Sequence, residues 1–125
     1  MKIIIVEDDP MILEIYEKKF GEAGFEVVTA DSGDKALAVL QKEKADVIIL
    51  DLLMPKTNGY DVIEKTRSDA GANQNIKIFV TSNLSQPEDQ DKAIKLGANG
   101  FIVKSNYTPS EIVEEVKRLL GESKE

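Results

Sequence analysis

Five short apolar runs, each separated from the next by an amphipathic stretch of helical spacing, constrain this chain more than any other feature: Lys2 to Val6, Phe25 to Ala30, Asp46 to Leu50, Ile76 to Val80 and Gly100 to Val103. Strands that alternate with helices in this way build a parallel sheet covered by helices on both faces. Val47-Ile48-Ile49-Leu50 is apolar without alternation, as a strand buried on both faces must be, and belongs in the middle of the sheet. The fold class is therefore α/β, a doubly wound parallel sheet of five strands and five helices.

The helices carry their own start and stop signals. The first should begin at Pro10, whose missing N–H costs nothing in a first turn, with Asp9 as N-cap and Gly24 as its stop. Its inward stripe reads Ile12, Leu13, Ile15, Tyr16, Phe20 and Ala23. A second helix is predicted from about Gly33 to Lys44 with Ala36, Leu37, Val39 and Leu40 inward, and a third near Tyr60 after the turn pair Asn58-Gly59, with Val62 and Ile63 inward. The fourth and fifth open with capping boxes that include proline at the first helical position, Ser85-Gln86-Pro87-Glu88 and Thr108-Pro109-Ser110-Glu111. Ile112, Val113, Val116, Leu119 and Leu120 form the last apolar face, which Gly121 ends before a charged tail. Asp69 to Asn75, rich in Gly, Ala, Asn and Gln, reads as a surface loop.

Composition removes whole classes of chemistry. At 125 residues the chain fits one domain, 1–125, with a core that needs no staples. Cysteine and histidine are both absent, which excludes disulfides, thiolate nucleophiles, imidazole acid–base catalysis and zinc sites of the usual ligands. A net charge of −7 argues against a nucleic-acid surface, which needs clustered Lys and Arg. The first apolar run is too short for a signal peptide or a membrane span, so a cytoplasmic protein without membrane insertion is expected.

What remains is a set of polar residues at strand ends. Open α/β sheets put their ligand crevice at the carboxyl ends of their strands, and there the sequence has Glu7-Asp8 after the first run, Asp51 after the third, Thr81 after the fourth and Lys104 after the fifth. Acidic residues at a strand end commonly serve only the positive end of the next helix. Carboxylates clustered from two strands repel one another unless a cation neutralises them, and an all-oxygen site suits Mg²⁺, with Mn²⁺ as the alternative. Phosphoryl transfer needs positioned charge around three equatorial oxygens, which a cation, a Lys ammonium and a hydroxyl supply together.

In Val6-Glu7-Asp8-Asp9, Leu50-Asp51-Leu52-Leu53-Met54-Pro55, Asn58-Gly59, Val80-Thr81-Ser82 and Gly100-Phe101-Ile102-Val103-Lys104, the chain resembles the response regulator receiver domain of two-component signalling over essentially its whole length. The resemblance implies a flavodoxin-like strand order, 2-1-3-4-5, as in single-domain, chemotaxis-type regulators. It implies that Asp51 is the phosphoacceptor, with Glu7, Asp8 and the Leu53 carbonyl helping it to hold Mg²⁺. Thr81 and Lys104 would each bind a phosphoryl oxygen, small Ser82 would leave the acceptor accessible, and Phe101 matches the aromatic switch position. The resemblance further implies that Leu53 and Asn83 flank the path of the hydrolytic water and bear on the lifetime of the phosphoryl group. The implied phosphodonor is a histidine kinase or histidine phosphotransfer protein. The implied output is a change in the surface of the fourth helix, fifth strand and fifth helix, read by a downstream protein. Such a chain is no enzyme toward external substrates. It departs from the family pattern at Ser105, where proline is usual, and at Glu7, where Asp is commoner.

Two other readings compete. A flavodoxin-like FMN protein shares the architecture, but Glu7-Asp8-Asp9 would repel the flavin phosphate and the chain has no Trp. A phosphorylation-independent interaction module of the same fold has no use for Asp51, Thr81 and Lys104 together.

Overall fold

The computed structural model describes residues 1–54, 57–69, 71–84 and 86–121. The chain runs β1 (Lys2–Val6), α1 (Pro10–Glu22), β2 (Glu26–Ala30), α2 (Gly33–Lys42), β3 (Val47–Leu50), α3 (Gly59–Asp69), β4 (Lys77–Ser82), α4 (Pro87–Leu96), β5 (Gly100–Val103) and α5 (Pro109–Leu119). These five strands form one parallel sheet in the order β2-β1-β3-β4-β5, as the sequence predicted. A two-residue antiparallel ladder, Leu53–Met54 with Thr57–Asn58, follows β3 and has no counterpart in the sequence reading. Among the described residues no helix is long and apolar enough to cross a membrane.

The pleat sorts each strand's side chains between two cores. Ile4, Val6, Ile48, Leu50, Ile78 and Val80 pack beneath α2, α3 and α4. Ile3, Ile5, Val47, Ile49, Phe79 and Ile102 pack beneath α1 and α5. Every residue of β3 is buried, as its unbroken apolar run requires.

Local signals explain most helix ends. Asp9 Oδ1 accepts from Met11 N at 2.9 Å and Ile12 N at 3.3 Å, so Asp9 caps the helix that starts at Pro10. Thr108 and Glu111 form a reciprocal capping box on α5. The N-cap of α4 is Gln86, which makes no side-chain cap bond, and the box expected there rests on Ser85. Ser85, like Pro55 and the charged tail at 122–125, lies outside the described residues. The second helix stops at Lys42 rather than Lys44, with Glu43 already extended. Ile15, expected inward, is 41% exposed because α1 meets the sheet and α5 on a narrower face than its apolar stripe.

Two polar side chains stitch the sheet's lower edge. Asn73, placed by sequence in a surface loop, is buried, and its amide accepts from Ala45 N and donates to the carbonyls of Leu40 and Glu43. Carbonyls left over at the end of α2 find a donor this way. Arg67, on the last turn of α3, donates from Nε and Nη2 to Gly97 O at 3.1 and 2.7 Å, and from Nη1 to Gln74 O and Ile76 O at 2.8 and 2.6 Å. Nη2 also reaches Asn99 Oδ1 at 2.8 Å. Gly97, at φ 120°, is the left-handed residue that ends α4 and turns its carbonyl to that guanidinium.

Candidate functional site

Parallel register brings the strand ends level, with Val6 opposite Leu50, Leu50 opposite Val80, and Val80 opposite Phe101. The residues that follow therefore meet at one edge. Glu7 is 2% exposed and Asp51 6%. Asp8 beside them is partly buried, and one carboxylate oxygen from each of the three lies within 4.8 Å of the others. Opposite corners of a Mg²⁺ octahedron stand about 4.2 Å apart, so the trio fits a small divalent cation after slight closure. The donors are all oxygens, which suits Mg²⁺ or Mn²⁺ over softer metals.

Lys104 bridges two members of this cluster. Its ammonium lies 2.6 Å from Glu7 Oε1 and 3.0 Å from Asp51 Oδ2, with only 12% of its side chain exposed. Burial opposes the lysine's charge, but hydrogen bonds and attraction from the two carboxylates outweigh it and raise the pKa above the ordinary lysine value. Burial also raises the pKa of Glu7, and the Lys104 ammonium only partly reverses that. Glu7 Oε2 accepts from Asp9 N at 3.2 Å, and Asp51 Oδ1 from Leu53 N at 3.0 Å, which fixes both carboxylates from the backbone side.

The remaining residues singled out by sequence lie around this trio. Thr81 and Ser82 are not beyond β4 but are its last two residues, both buried, and Ser82 Oγ accepts from Leu84 N at 3.2 Å. Phe101 is half-buried in β5 and packs against the core beneath α4. Leu53 is 55% exposed beside the shallow groove it lines with Met54, Tyr60, Leu84 and Lys92. Asn83, also exposed, lines a different cavity together with Lys104. Ser105 is the middle residue of a 3₁₀ turn, Lys104–Asn106, and the peptide bonds of the described residues are all trans.

Sequence reasoning missed three neighbours. Gly59 packs so closely under the site that a Cβ there would lie 2.6 Å from Leu52 Cα and 3.1 Å from Asp51 O; Asn58-Gly59 signals a turn but not this contact. Tyr60 lies beneath the Lys92 ammonium, 4.3 Å from its ring centroid, and its hydroxyl reaches Asp89 O of α4 at 3.4 Å. Tyr16, counted as one more apolar position of α1, is 4% exposed and lines the cavity beside Lys104.

A buried carboxylate just past the central strand, an acidic pair beside it and a lysine just past the fifth strand have the layout of a receiver. Residues 3–117 match the response regulator receiver domain model. The chain belongs to that family, the receivers of two-component signal transduction. Among solved structures, it is similar to the chemotaxis response regulator CheY4 of Vibrio cholerae, with 30% identity, 94% of this chain and 97% of that one covered, and a TM-score of 0.86. It is also similar to the receiver domain of the Francisella response regulator 1452, with 26% identity, 98% of each chain covered and a TM-score of 0.83. The transcriptional regulatory protein CusR of Escherichia coli is 35% identical over 96% of this chain and 51% of its own length. A probable transcriptional regulator, ycf27, of Guillardia theta is 34% identical over 95% of this chain and 45% of its own. The chain thus spans about half the length of the curated relatives it matches.

Proposed function

We propose that residues 1–125 act as one receiver domain that accepts a phosphoryl group on Asp51 from the phosphohistidine of a kinase or phosphotransfer protein, with Mg²⁺ held by Glu7, Asp8, Asp51 and the Leu53 carbonyl. The observation that carries this reading is the buried Asp51 carboxylate sharing one ammonium with Glu7 and lying in a three-carboxylate cluster at the strand ends. An Asp51 oxygen attacks phosphorus in line. The P–O bond forms as the P–N bond breaks, and the departing imidazole takes the electron pair and then a solvent proton. The cation, when bound, neutralises charge that develops on the phosphoryl oxygens. Lys104 and the Thr81 hydroxyl hold two of those oxygens, while Ser82 leaves the approach open.

The new dianion draws Thr81 toward Asp51, and Phe101 turns into the space released, which changes the α4, β5 and α5 surface read by a downstream protein. The chain promotes only its own phosphorylation and dephosphorylation, in the cytoplasm, and touches neither nucleic acid nor membrane directly. Incubation with acetyl phosphate or phosphoramidate and Mg²⁺, followed by intact mass, tests the core of this. One phosphoryl group should appear on wild type and none on Asp51→Ala; equal labelling of both would sink the assignment.

Leu53 governs how long the acyl phosphate lasts. Its exposed branched side chain obstructs the in-line approach of water and offers no group to orient it, and Asn83 carries no charge to serve as a base. The phosphoryl group is therefore expected to be long-lived. Leu53→Asn should speed phosphate release from the purified phosphorylated protein severalfold, where each tenfold is about 1.4 kcal/mol of barrier. Unchanged or slower release would remove Leu53 from this role.

A further inference from the structure

Lys104 stands where the cation must act. Its two contacts, with Glu7 and Asp51, are with oxygens that belong to the carboxylate trio, so a divalent cation that claims them displaces the ammonium. An ammonium so largely buried carries three donors, and once displaced it must find another acceptor to offset the cost of its burial. The structure offers one place close by. Lys104 lines a cavity of about 280 Å³ together with Tyr16, Asn83 and Ser105, walled by Ile12 and Pro109.

Within that cavity the Tyr16 hydroxyl is distinctive. It has no hydrogen-bond partner among the described residues. None of their fully buried side-chain polar atoms is left unsatisfied, so this hydroxyl must reach open space although Tyr16 as a whole is 4% exposed. The cavity shared with Lys104 supplies that space. The Tyr16 ring is fixed in the core beneath α1 and α5 with Ile5, Phe20 and Ile112, so the hydroxyl is held in place before anything arrives. Asn83 and Ser105 are exposed and already solvated. Tyr16 also feels the charges of Lys104, Glu7 and Asp51, although burial is the larger influence and raises its pKa.

We propose that the Tyr16 hydroxyl is the acceptor that receives the Lys104 ammonium when a divalent cation takes over Glu7 and Asp51. Tyr16 is then a positioning residue: it keeps Lys104 ordered at the edge of the site, within reach of an incoming phosphoryl oxygen, rather than loose in solvent. The inference rests on the reading of Glu7, Asp8 and Asp51 as a cation site, and it deepens that reading by naming what the displaced charge does.

The test is a calorimetric Mg²⁺ titration of four proteins: wild type, Tyr16→Phe, Lys104→Met and the double variant. A hydrogen bond to a charged group competes here with water in an open cavity, so Tyr16→Phe should weaken Mg²⁺ binding about five-fold in the wild-type background. It should have no effect once Lys104→Met has removed the ammonium. No change on Tyr16→Phe, or an equal change in both backgrounds, would overturn the role of Tyr16 while leaving the cation site intact. Failure of wild type itself to bind Mg²⁺ would overturn the cation site and this proposal with it.

Discussion

Lys104→Met is expected to tighten Mg²⁺ binding by at least about tenfold and at the same time to lower the melting temperature of the metal-free protein. Both effects follow from one geometry. Among the described residues, the ammonium is the only positive charge in contact with the two carboxylates, which are almost wholly buried. Two unit charges 4 Å apart near a protein surface interact by about 4 kcal/mol, and a cation entering the wild type gives up part of that by evicting Lys104. Removing the competitor restores it, and about 1.4 kcal/mol is enough for a tenfold gain. Without metal, the same substitution leaves Glu7 and Asp51 unpaired, and breaking a buried pair costs about 3 to 5 kcal/mol.

The sign of the pH dependence follows as well. Burial raises the pKa of Glu7, and Lys104 holds it partly down, so the variant's Glu7 should protonate at a higher pH. Its Mg²⁺ affinity should then begin to fall at a higher pH than in wild type. Calorimetry across pH and thermal melts with and without Mg²⁺ would check all three effects. A metal affinity that is unchanged or weaker in Lys104→Met would mean that the ammonium does not compete for the site. Where the variant is still phosphorylated, NMR shifts on α4 and α5 should lack most of the response of wild type.

Gly59→Ala should destabilise the protein by about 3 kcal/mol, against the usual gain for such a change inside a helix. The added Cβ would meet Leu52 Cα at 2.6 Å and Leu52 Cδ2 at 2.9 Å. A flexible side-chain end can yield to such a contact, but backbone belonging to the residue after Asp51 cannot yield without carrying the phosphoacceptor with it. Gly21→Ala is the matched control, because it sits in α1 with nothing within 4 Å of a new Cβ and should stabilise by about 0.5 to 1 kcal/mol. Urea unfolding of both variants decides the matter, and a stabilised Gly59→Ala would show that α3 can shift away from Leu52 freely.

How much of this the sequence discloses depends on the range of the cause. Asp9 before Pro10, and Thr108 three residues before Glu111, act within one turn and were legible. So was the gathering of Glu7, Asp8, Asp51 and Lys104, because parallel strands of like register end on one edge. The position of Lys104 between the carboxylates was not legible, since it depends on the reach of one side chain across two strands. Asn73 was misread for a related reason: its composition says loop, yet its amide answers backbone groups left over at α2, far away in sequence. Ile15 and Tyr16 share one apolar stripe on paper. Only the angle at which α1 meets the sheet and α5 buries Tyr16 and leaves Ile15 41% exposed, although both border the cavity beside Lys104.

The Arg67 clamp gives α4 a mechanical asymmetry. At its C-terminal end the helix is riveted, through Gly97 O, to a guanidinium that also grips the chain entering β4. At its N-terminal end Gln86 contributes no side-chain bond, and the tie from Tyr60 to Asp89 O is a long one at 3.4 Å. A rod about 15 Å long, pinned at one end and, among the described residues, lightly tethered at the other, would pivot rather than slide. A small rotation near Gly97 would then grow along its length and be greatest at Pro87, the end that follows Thr81 to Leu84.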